Sequence, residues 1–380
     1  MAIEGKIALL GQAAQHDLCA ACGSHSSRTL DDIGRWIYPA VMPDGRRVNL
    51  LKVLQTNVCD QNCYYCANRS GRDVPRASLK PEELAQSFDL LQRSGRAVGL
   101  FLSSGLCGNA EQASERMLAT VELLRKRYEF KGYVHFKLLP GVNDAIIEAA
   151  LKVAQRVSVN LEAPNSERLQ ALSGSKRFTS DLLVPLERAH KLRQQLGLPV
   201  SMTTQLVVGA ANESDREILS TTATLYQQLG LARTYYSAFQ PVRDTPLENH
   251  PAAPAWREHR LYQADFLLRC YGFRFQELVF DGCDCLPRGA DPKTAWALAH
   301  PERFPIEVNR VTEQELLRVP GIGPRSVKRI LDWRRQSTLH DLGQIRLAGA
   351  DAKRAAPFIL FDGHKPPYQL TLWPQPTLLE

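Results

Sequence analysis

The amino-acid sequence predicts an α/β protein with a parallel sheet, followed by a small all-α module. Two observations support this prediction. From Val48 onward, short runs rich in β-branched residues alternate with amphipathic segments, and after about residue 305 the composition changes to short helical segments that become basic. Alternating strands and helices favour a parallel sheet with right-handed crossovers. Such sheets bind ligands at the carboxyl ends of their strands.

The predicted strands and helices follow one another along the chain. Six strands are expected at Val48–Thr56, Ala97–Leu102, Gly132–Leu138, Val157–Leu161, Val200–Val208 and Thr234–Phe239. Five helices are expected at Pro81–Arg93, Glu111–Tyr128, Asp144–Ala154, Leu182–Leu196 and Asn212–Leu229. Pro81 suits the first position of a helix, and Gly230 suits the residue that follows a helix end. The six strands should therefore lie side by side with their carboxyl ends at one edge.

Composition and charge limit the class of protein. The chain has 380 residues, 44% of them hydrophobic and 23% charged, as in ordinary globular proteins. No stretch reaches about 18 consecutive apolar residues, and no secretory signal is evident, so we expect a cytoplasmic protein without a membrane partner. The nine cysteines are then expected to be reduced, and clustered thiols indicate metal or redox chemistry. The net charge of +7 permits a polyanionic partner without requiring one.

We expect four segments along the chain. Residues 1–47 show no clear periodicity and are expected to form a cap, and residues 48–305 hold the alternating strands and helices with a C-terminal extension. Residues 306–363 are expected to form the helical module. Residues 364–380 are rich in proline, which predicts an extended tail.

Three cysteines lie within eight residues, directly after the first predicted strand: Cys59, Cys63 and Cys66. A disulfide uses two thiols, whereas a structural zinc site or a closed iron–sulfur cluster usually uses four. Three thiolates leave one metal position without a protein ligand, as catalytic zinc sites also do. A structural zinc site or three unrelated thiols is the alternative. The location at the carboxyl end of a strand favours a catalytic centre.

The spacing Cys-x3-Cys-x2-Cys resembles the signature of the radical S-adenosylmethionine (SAM) superfamily. The resemblance implies a partial (β/α)6 barrel of the TIM type and a [4Fe-4S] cluster on these three cysteines. It also implies SAM bound at the iron that lacks a cysteine. In that superfamily an electron from the cluster cleaves SAM to a 5′-deoxyadenosyl radical, which abstracts hydrogen from the substrate, so a low-potential electron donor is an implied partner. Tyr65 matches the aromatic residue that lies against the adenine.

Later segments resemble the SAM-binding elements of the superfamily in the expected order. Ser103-Ser104-Gly105 resembles the Gly-Gly-Glu segment that meets the methionyl amino group, although serine oxygens would have to replace the glutamate. Asn160 and Glu162 follow the fourth predicted strand, where the superfamily places contacts to the ribose. A hydrogen bond within the core is the alternative reason for two polar residues there. The resemblance assigns the remaining SAM contacts to the fifth and sixth strands: Gln205, Val207, Gly209, Tyr236 and Ser237.

The other six cysteines support weaker hypotheses. Two pairs could together hold a zinc ion or an auxiliary cluster, with two histidines as competing ligands: Cys19 and Cys22, Cys283 and Cys285, with His16 and His25. Ordinary thiols are the alternative for both pairs. Cys107 follows the Ser-Ser-Gly segment and is expected near the barrel mouth, either as a hydrogen-atom donor to a product radical or as an inert thiol.

The segment from Val311 to Leu331 resembles a helix-hairpin-helix, a motif of DNA-binding repair and competence proteins. Thr312 and Glu315 suit a capping box at the start of its first helix. The Gly321-Ile322-Gly323 turn would let backbone amides meet a phosphate at the start of the second helix. Five cations are expected to surround that phosphate with positive charge: Arg325, Lys328, Arg329, Arg334 and Arg335. Residues 339–361 look like a second, degenerate hairpin, and a protein-binding hairpin is the alternative function.

A radical SAM barrel joined to a helix-hairpin-helix resembles the radical SAM family assigned to DNA modification or repair. The resemblance covers nearly the whole chain and includes Asn57-Val58-Cys59 and Asp73-Val74-Pro75-Arg76. It implies a nucleic-acid partner, with DNA preferred to RNA, and leaves the target base, the product and the oligomeric state open. An RNA-modifying radical SAM enzyme is the first alternative, because phosphate contacts do not distinguish DNA from RNA. A cluster-containing scaffold protein of a repair complex is the second.

Overall fold

The computed structural model describes residues 2–14, 34–41 and 47–367. The predicted second metal site therefore lies partly outside the described residues, because Cys19, Cys22, His16 and His25 are not among them. The chain divides into two compact units, residues 1–213 with 224–255, and residues 214–223 with 256–380. This division groups residues 256–305 with the C-terminal helices, whereas the sequence pattern predicts that they extend the barrel.

The first unit is built on a seven-stranded sheet with the strands in sequence order. The strands are β1 Ile37–Val41, β2 Arg47–Leu54, β3 Gly99–Ser103, β4 Tyr133–Lys137, β5 Arg156–Ser158, β6 Ser201–Val208 and β7 Arg233–Ala238. β1 is antiparallel to β2, and every later neighbour is parallel. The α/β class and the six parallel strands are thus confirmed. Within the segment expected to form a cap, residues 1–47, Ile37–Val41 forms an edge strand of this sheet.

Helices of the first unit precede the sheet or cross over between its parallel strands. They are α1 Ile3–Ala13, α2 Pro81–Arg93, α3 Ala110–Lys126, α4 Asp144–Val153, α5 Ser166–Gln170, α6 Val184–Gln195 and α7 Asp215–Leu229, the last of which contributes to both units. Asparagine side chains cap the starts of three of these helices: Asn109 accepts from the Gln112 amide, Asn143 from the Ile146 amide and Asn165 from the Arg168 amide. These caps fix where each chain segment leaves the strand edge that bears the site.

The second unit is helical. Its elements are α8 Ala255–Cys270, α9 Pro292–Ala299, β8 Ile306–Glu307, α10 Glu313–Arg318, α11 Pro324–Arg334, α12 Leu342–Leu347, α13 Ala352–Ala355 and β9 Ile359–Leu360. The last four helices share a core that includes Leu316, Val327, Ile330 and Ile345. Among the described residues, no helix is long and apolar enough to cross a membrane.

Two short helix pairs in this unit follow the same plan. A glycine with positive φ stands between α10 and α11, and another stands between α12 and α13: Gly321 at +82° and Gly349 at +86°. The Asp351 amide donates to the Gly321 carbonyl (2.9 Å), so the two turns bind each other directly. The turn residues are therefore part of the packing of the unit as well as of its surface.

Candidate cluster and cofactor site

A cavity of about 290 Å³ opens at the carboxyl ends of the parallel strands, and all of its lining residues belong to the first unit. Each of the six parallel strands, or the residues directly after it, supplies a wall residue: Leu54, Ser103, Lys137, Val159, Val207 and Ser237. Because β2 and β7 are not paired and yet line one cavity, the sheet must curl into an open half-barrel. This is the ligand-binding edge that the sequence predicts.

The cysteine loop delivers all three predicted thiols to this cavity. Cys59, Cys63 and Cys66 are all lining residues. The loop is held by its backbone, since the Asp60 amide donates to the Leu106 carbonyl (2.7 Å) and the Tyr64 amide donates to the Leu172 carbonyl (2.8 Å). The thiols are therefore gathered by contacts from two separate loops of the barrel.

The three thiols suit an iron–sulfur cluster, which protein thiolates hold by each binding a different iron. Over the described ranges 2–14, 34–41 and 47–367, no three His, Cys, Asp or Glu side chains lie close enough together to bind one metal ion. Burial raises the pKa of the Cys66 thiol to about 12, and Cys63 adds to the effect. A thiolate here would consequently need the positive charge of bound iron to form at neutral pH.

Three polar side chains on the cavity wall have no partner in the described part of the chain. Asn160 and Gln205 are each only 8% exposed and Ser103 is 2% exposed, and all three are wall residues. Their side chains form no hydrogen bond with any described part of the chain. Buried polar groups are normally satisfied, so this wall suits a ligand that carries hydroxyl, amino and carboxylate groups. SAM has all three in its ribose and methionyl parts, and the residues present fit it.

Glu162, the predicted ribose contact, lies on the cavity wall and forms an ion pair there. Its backbone has φ of +64°, and its carboxylate forms an ion pair of 3.2 Å with Lys176, with 8% and 10% of the two side chains exposed. Burial lowers the pKa of Lys176, but the negative charges of Cys63 and Glu162 outweigh it, so that pKa is raised. Burial, followed by the charge of Glu162, raises the pKa of Tyr65, which stays a neutral phenol beside the carboxylate.

Sequence reasoning missed Lys176 and Lys137, which both line the cavity. Lys176 lies in the loop after α5, in the segment Leu172-Ser-Gly-Ser-Lys176, and no motif of the superfamily points to it. The same loop packs on the cysteine loop, where the Ser175 hydroxyl donates to the Gln61 side chain (2.7 Å). The sequence signal that could have indicated Lys176 is a lysine in a loop that packs against the cysteine loop.

Three predicted site residues are not on the cavity wall: Gly209, Tyr236 and Cys107. Tyr236 is fully buried on β7, because side chains alternate along a strand and its neighbour Ser237 faces the cavity. Gly209 has φ of +88° and its amide donates to the Glu213 carboxylate, so it forms the turn after β6. Ser104, Gly105, Val207 and Tyr65 do line the cavity as expected.

Gly105 is required by the backbone of the cysteine loop. Its amide donates to the Thr56 carbonyl (2.7 Å), and a Cβ added to it would lie 2.3 Å from the Val58 carbonyl oxygen. Because any side chain there would collide with the residue before Cys59, the glycine of the Ser-Ser-Gly segment serves close packing in addition to any contact with SAM.

The cysteines of the second unit lie in a tight turn. The Asp281 carboxylate accepts from the amides of both Cys283 and Cys285 (2.9 Å each). Cys283 is exposed and Cys285 is half-buried. Their suggested partners are outside the described ranges, so the second metal site stays a prediction.

The turn before α11 presents backbone amides and cations. The amides of Gly323 and Arg325 have no acceptor within the described portion of the chain, whereas the Ile322 amide donates to Val319 (3.2 Å) and the Ile322 side chain is buried. Three cations on the same helix are exposed: Arg325, Lys328 and Arg329. Gly321 has a packing reason as well, because a Cβ on it would lie 2.5 Å from the Asp351 carbonyl oxygen.

A family model described as the radical SAM superfamily matches residues 53–225. The matched stretch holds the three cysteines and most of the strands that form the cavity wall. Residues 53–225 are therefore a radical SAM superfamily domain. The protein is an enzyme of this kind, and its cofactors are a [4Fe-4S] cluster and SAM. The match does not specify the reaction.

Solved structures that match part of the chain include two of HydG, a maturase of the [FeFe]-hydrogenase, one of them from Carboxydothermus hydrogenoformans. The first is 15% identical over 58% of this chain and 49% of that chain, with a TM-score of 0.47; the second is 14% identical over 58% and 51%, with a TM-score of 0.45. Methylornithine synthase (PylB) is 14% identical over 70% and 76%, with a TM-score of 0.48. The chain spans about half the length of the HydG chains. No curated protein matches it.

Proposed function

We propose that this radical SAM enzyme acts on a nucleic acid, DNA rather than RNA, in modification or repair. The observation that carries the proposal is the Gly321-Ile322-Gly323 turn with its free amides at the start of α11. We interpret α10, this turn and α11 as a helix-hairpin-helix, with α12 and α13 as its degenerate second copy. Amides without partners at a helix N-terminus favour an anion, and a phosphodiester is the anion that a chain of DNA repeats along its length.

The exposed side chains around this turn support a polyanionic partner. Arg325 and Lys328 form no ion pair with the described residues, and Arg329 forms only a 3.4 Å hydrogen bond to the Ala348 carbonyl. Arg334, by contrast, uses its guanidinium on the carbonyls of Val308 (3.2 Å) and Val311 (2.6 Å) and belongs to the fold. The available charge is thus concentrated in the first two turns of α11. Contacts of this kind hold the backbone and leave base recognition to other residues.

In the barrel, Cys59, Cys63 and Cys66 would hold the cluster, while Asn160 and Gln205 would contact SAM. When bound there, the cluster and SAM would supply radical chemistry for hydrogen abstraction from a substrate in the cavity. The buried cavity cannot admit a base that is stacked in a duplex, so the target base must be extruded or single-stranded. The enzyme also needs a low-potential electron donor.

Charge reversal on α11 tests the nucleic-acid assignment. Arg325→Glu should weaken binding to every DNA sequence by a similar factor and lower the magnitude of the salt slope by about one unit. Arg335→Glu is the matched control, because Arg335 directly follows the last residue of α11, about 15 Å from Arg325, and is 76% exposed. Charge reversal is a cleaner change than replacing Gly321, since a side chain there would disturb the turn of α12 and α13.

The measurement is a salt titration of affinity for duplex DNA, single-stranded DNA and RNA of the same length. Tighter binding of RNA than of both DNA forms would move the proposal to RNA modification. Equal slopes for Arg325→Glu, Arg335→Glu and the unchanged chain would contradict a phosphate-binding hairpin and leave a protein-binding role.

The chemistry is tested separately. Under anaerobic conditions and with a strong reductant, the reconstituted protein should convert SAM to 5′-deoxyadenosine, and the correct nucleic acid should accelerate this conversion. Replacing Cys59, Cys63 and Cys66 together with alanine should remove the product and the barrel cluster. Full four-iron content in that variant would contradict the assignment of these ligands.

A further inference from the structure

The segment Asp73-Val74-Pro75-Arg76 contains an arginine that contacts the cysteine loop without reaching the cavity. The Arg76 guanidinium donates four hydrogen bonds, all to backbone carbonyls. Nη1 donates to Asn57 (2.6 Å) and Asn68 (2.9 Å), and Nη2 donates to Arg69 (2.8 Å) and Arg72 (3.1 Å). Arg76 is half-buried, is absent from the cavity wall and has no acidic partner among the described residues. All four N–H groups of Nη1 and Nη2 therefore donate to carbonyls of one loop.

The four carbonyls lie on both sides of the three thiols. Asn57 precedes Cys59 by two residues, and Asn68 follows Cys66 by two residues. A single planar group therefore joins the two ends of the loop that carries Cys59, Cys63 and Cys66. The guanidinium suits this task because its donors point in fixed directions within one plane, whereas an ammonium group offers one flexible point of contact.

A second tie closes the same loop beside Arg76. The Asn57 side chain donates to the Pro75 carbonyl (2.9 Å), and its oxygen accepts from the Ala77 amide (2.8 Å). The residues on either side of Arg76 are thus fixed to the residue that begins the loop. The segment around Arg76 and the start of the loop cannot move independently.

We propose that Arg76 is a positioning residue that holds the cysteine loop in its cluster-binding form before the cluster is present. Three thiols that already face one cavity lose less conformational freedom on cluster binding than three thiols on an open loop. The inference concerns the cofactor site and is independent of the nucleic-acid target. It also gives a physical role to the segment Asp73-Val74-Pro75-Arg76, which is part of the family resemblance.

The test compares Arg76→Gln and Arg76→Lys with a matched control, Arg125→Gln. The Arg125 guanidinium is also spent largely on carbonyls, those of Phe130 (2.6 Å), Gly132 (2.9 Å) and Val153 (2.9 Å), but it ties together α3, β4 and α4. Removing it costs a similar set of hydrogen bonds without touching the cysteine loop. The control thus separates a local effect on the loop from a general loss of stability.

Two measurements on the full chain decide the matter. Amide hydrogen exchange of the cluster-free protein should become at least tenfold faster over residues 57–72 in Arg76→Gln and should stay unchanged there in Arg125→Gln. After anaerobic reconstitution, Arg76→Gln should retain less than half of the wild-type iron and sulfide, with a broadened electron paramagnetic resonance signal of the reduced cluster. Arg76→Lys should show an intermediate effect, because it keeps the charge and loses the bridging geometry.

The proposal is wrong if Arg76→Gln shows wild-type exchange over residues 57–72 together with wild-type iron content. It is also wrong if Arg125→Gln lowers iron content as much as Arg76→Gln does, because the loss would then follow global stability. If Arg76→Gln does not fold, Arg76→Lys carries the test, and unchanged exchange of the loop in that folded variant overturns the proposal.

Discussion

The buried ion pair between Glu162 and Lys176 gives the sharpest prediction about the cavity. Glu162→Gln removes the negative charge while keeping the shape, and it leaves the Lys176 ammonium buried at 10% exposure without its carboxylate partner. Removing one partner of a buried pair costs about 3–5 kcal/mol, since the remaining charge keeps its desolvation cost. We expect the lower end, about 3 kcal/mol, because the Gln carbonyl can still accept a hydrogen bond from the ammonium.

A double-mutant cycle tests the pair further by also removing the Lys176 ammonium. Lys176→Met alone leaves Glu162 buried, with the Tyr65 phenol as a donor, and should be destabilising as well. The double variant Glu162→Gln with Lys176→Met carries no buried charge and should be far more stable than the sum of the single changes predicts. A coupling free energy of about 2–3 kcal/mol is expected. The backbone strain at residue 162 is the same in all four proteins of this double-mutant cycle, so its free energy cancels in the coupling free energy.

Urea unfolding of the cluster-free chain at fixed pH supplies the four free energies of unfolding. Glu122→Gln is the control, because the Glu122–Lys126 pair has an even shorter separation (2.7 Å) but is exposed by 44% and 77%. An exposed pair of this kind contributes about 0.5 kcal/mol. If Glu162→Gln costs no more than Glu122→Gln, or if the cycle shows no coupling, then the pair is solvated and the electrostatic description of this wall fails.

Two further predictions concern glycine packing and a buried lysine. In Gly105→Ala the new Cβ and the Val58 carbonyl oxygen must move apart by about 1 Å, so iron incorporation should fall at least by half. Gly289→Ala is the control, because nothing lies within 4 Å of its Cβ, and it should have no effect. Equal iron content in both variants would contradict this prediction. Burial lowers the pKa of Lys293, whose ammonium donates to the Ile322 carbonyl, to about 7. Between that pKa and the usual value of 10.5, the unfolded chain binds the additional proton, so the free energy of unfolding of the second unit should rise by up to about 1.4 kcal/mol per pH unit above pH 7. The rise should be missing in Lys293→Met, and its persistence there would assign it to another group.

The elements that sequence patterns predicted are those whose signals are local. Pro81 begins α2 and Arg93 ends it, as expected, because a proline at the first position and the acidic first turn mark a helix start within a few residues. The edge strand β1 was missed because Pro39 lies inside it, and proline normally argues against a strand. It is tolerated here because β1 pairs with β2 only, which leaves one of its sides without hydrogen bonds in the sheet.

The site was predictable where it depends on chain order and unpredictable where it depends on contacts between loops. The three thiols follow from their spacing in the loop after β2, and the wall residues Gln205 and Val207 follow from the alternation of side chains along β6. The same alternation along β7 puts Ser237 on the cavity wall and Tyr236 off it. The Lys176–Glu162 pair joins two loops across α5, and such a contact has no periodicity that a sequence displays.

The separation of the two units gives the functional proposal two independent ways to fail. Every cavity-lining residue belongs to the first unit, whereas Gly323, Arg325 and Lys328 belong to the second. A change at Arg325 should therefore leave cluster content and uncoupled cleavage of SAM unchanged while it weakens nucleic-acid binding. A change at Arg76 should do the reverse, because its hydrogen bonds end on the cysteine loop. If both changes reduced both properties, the two functions would not be divided between the units. In that case the cations of α11 would have to act on the barrel chemistry itself rather than on the placement of its substrate.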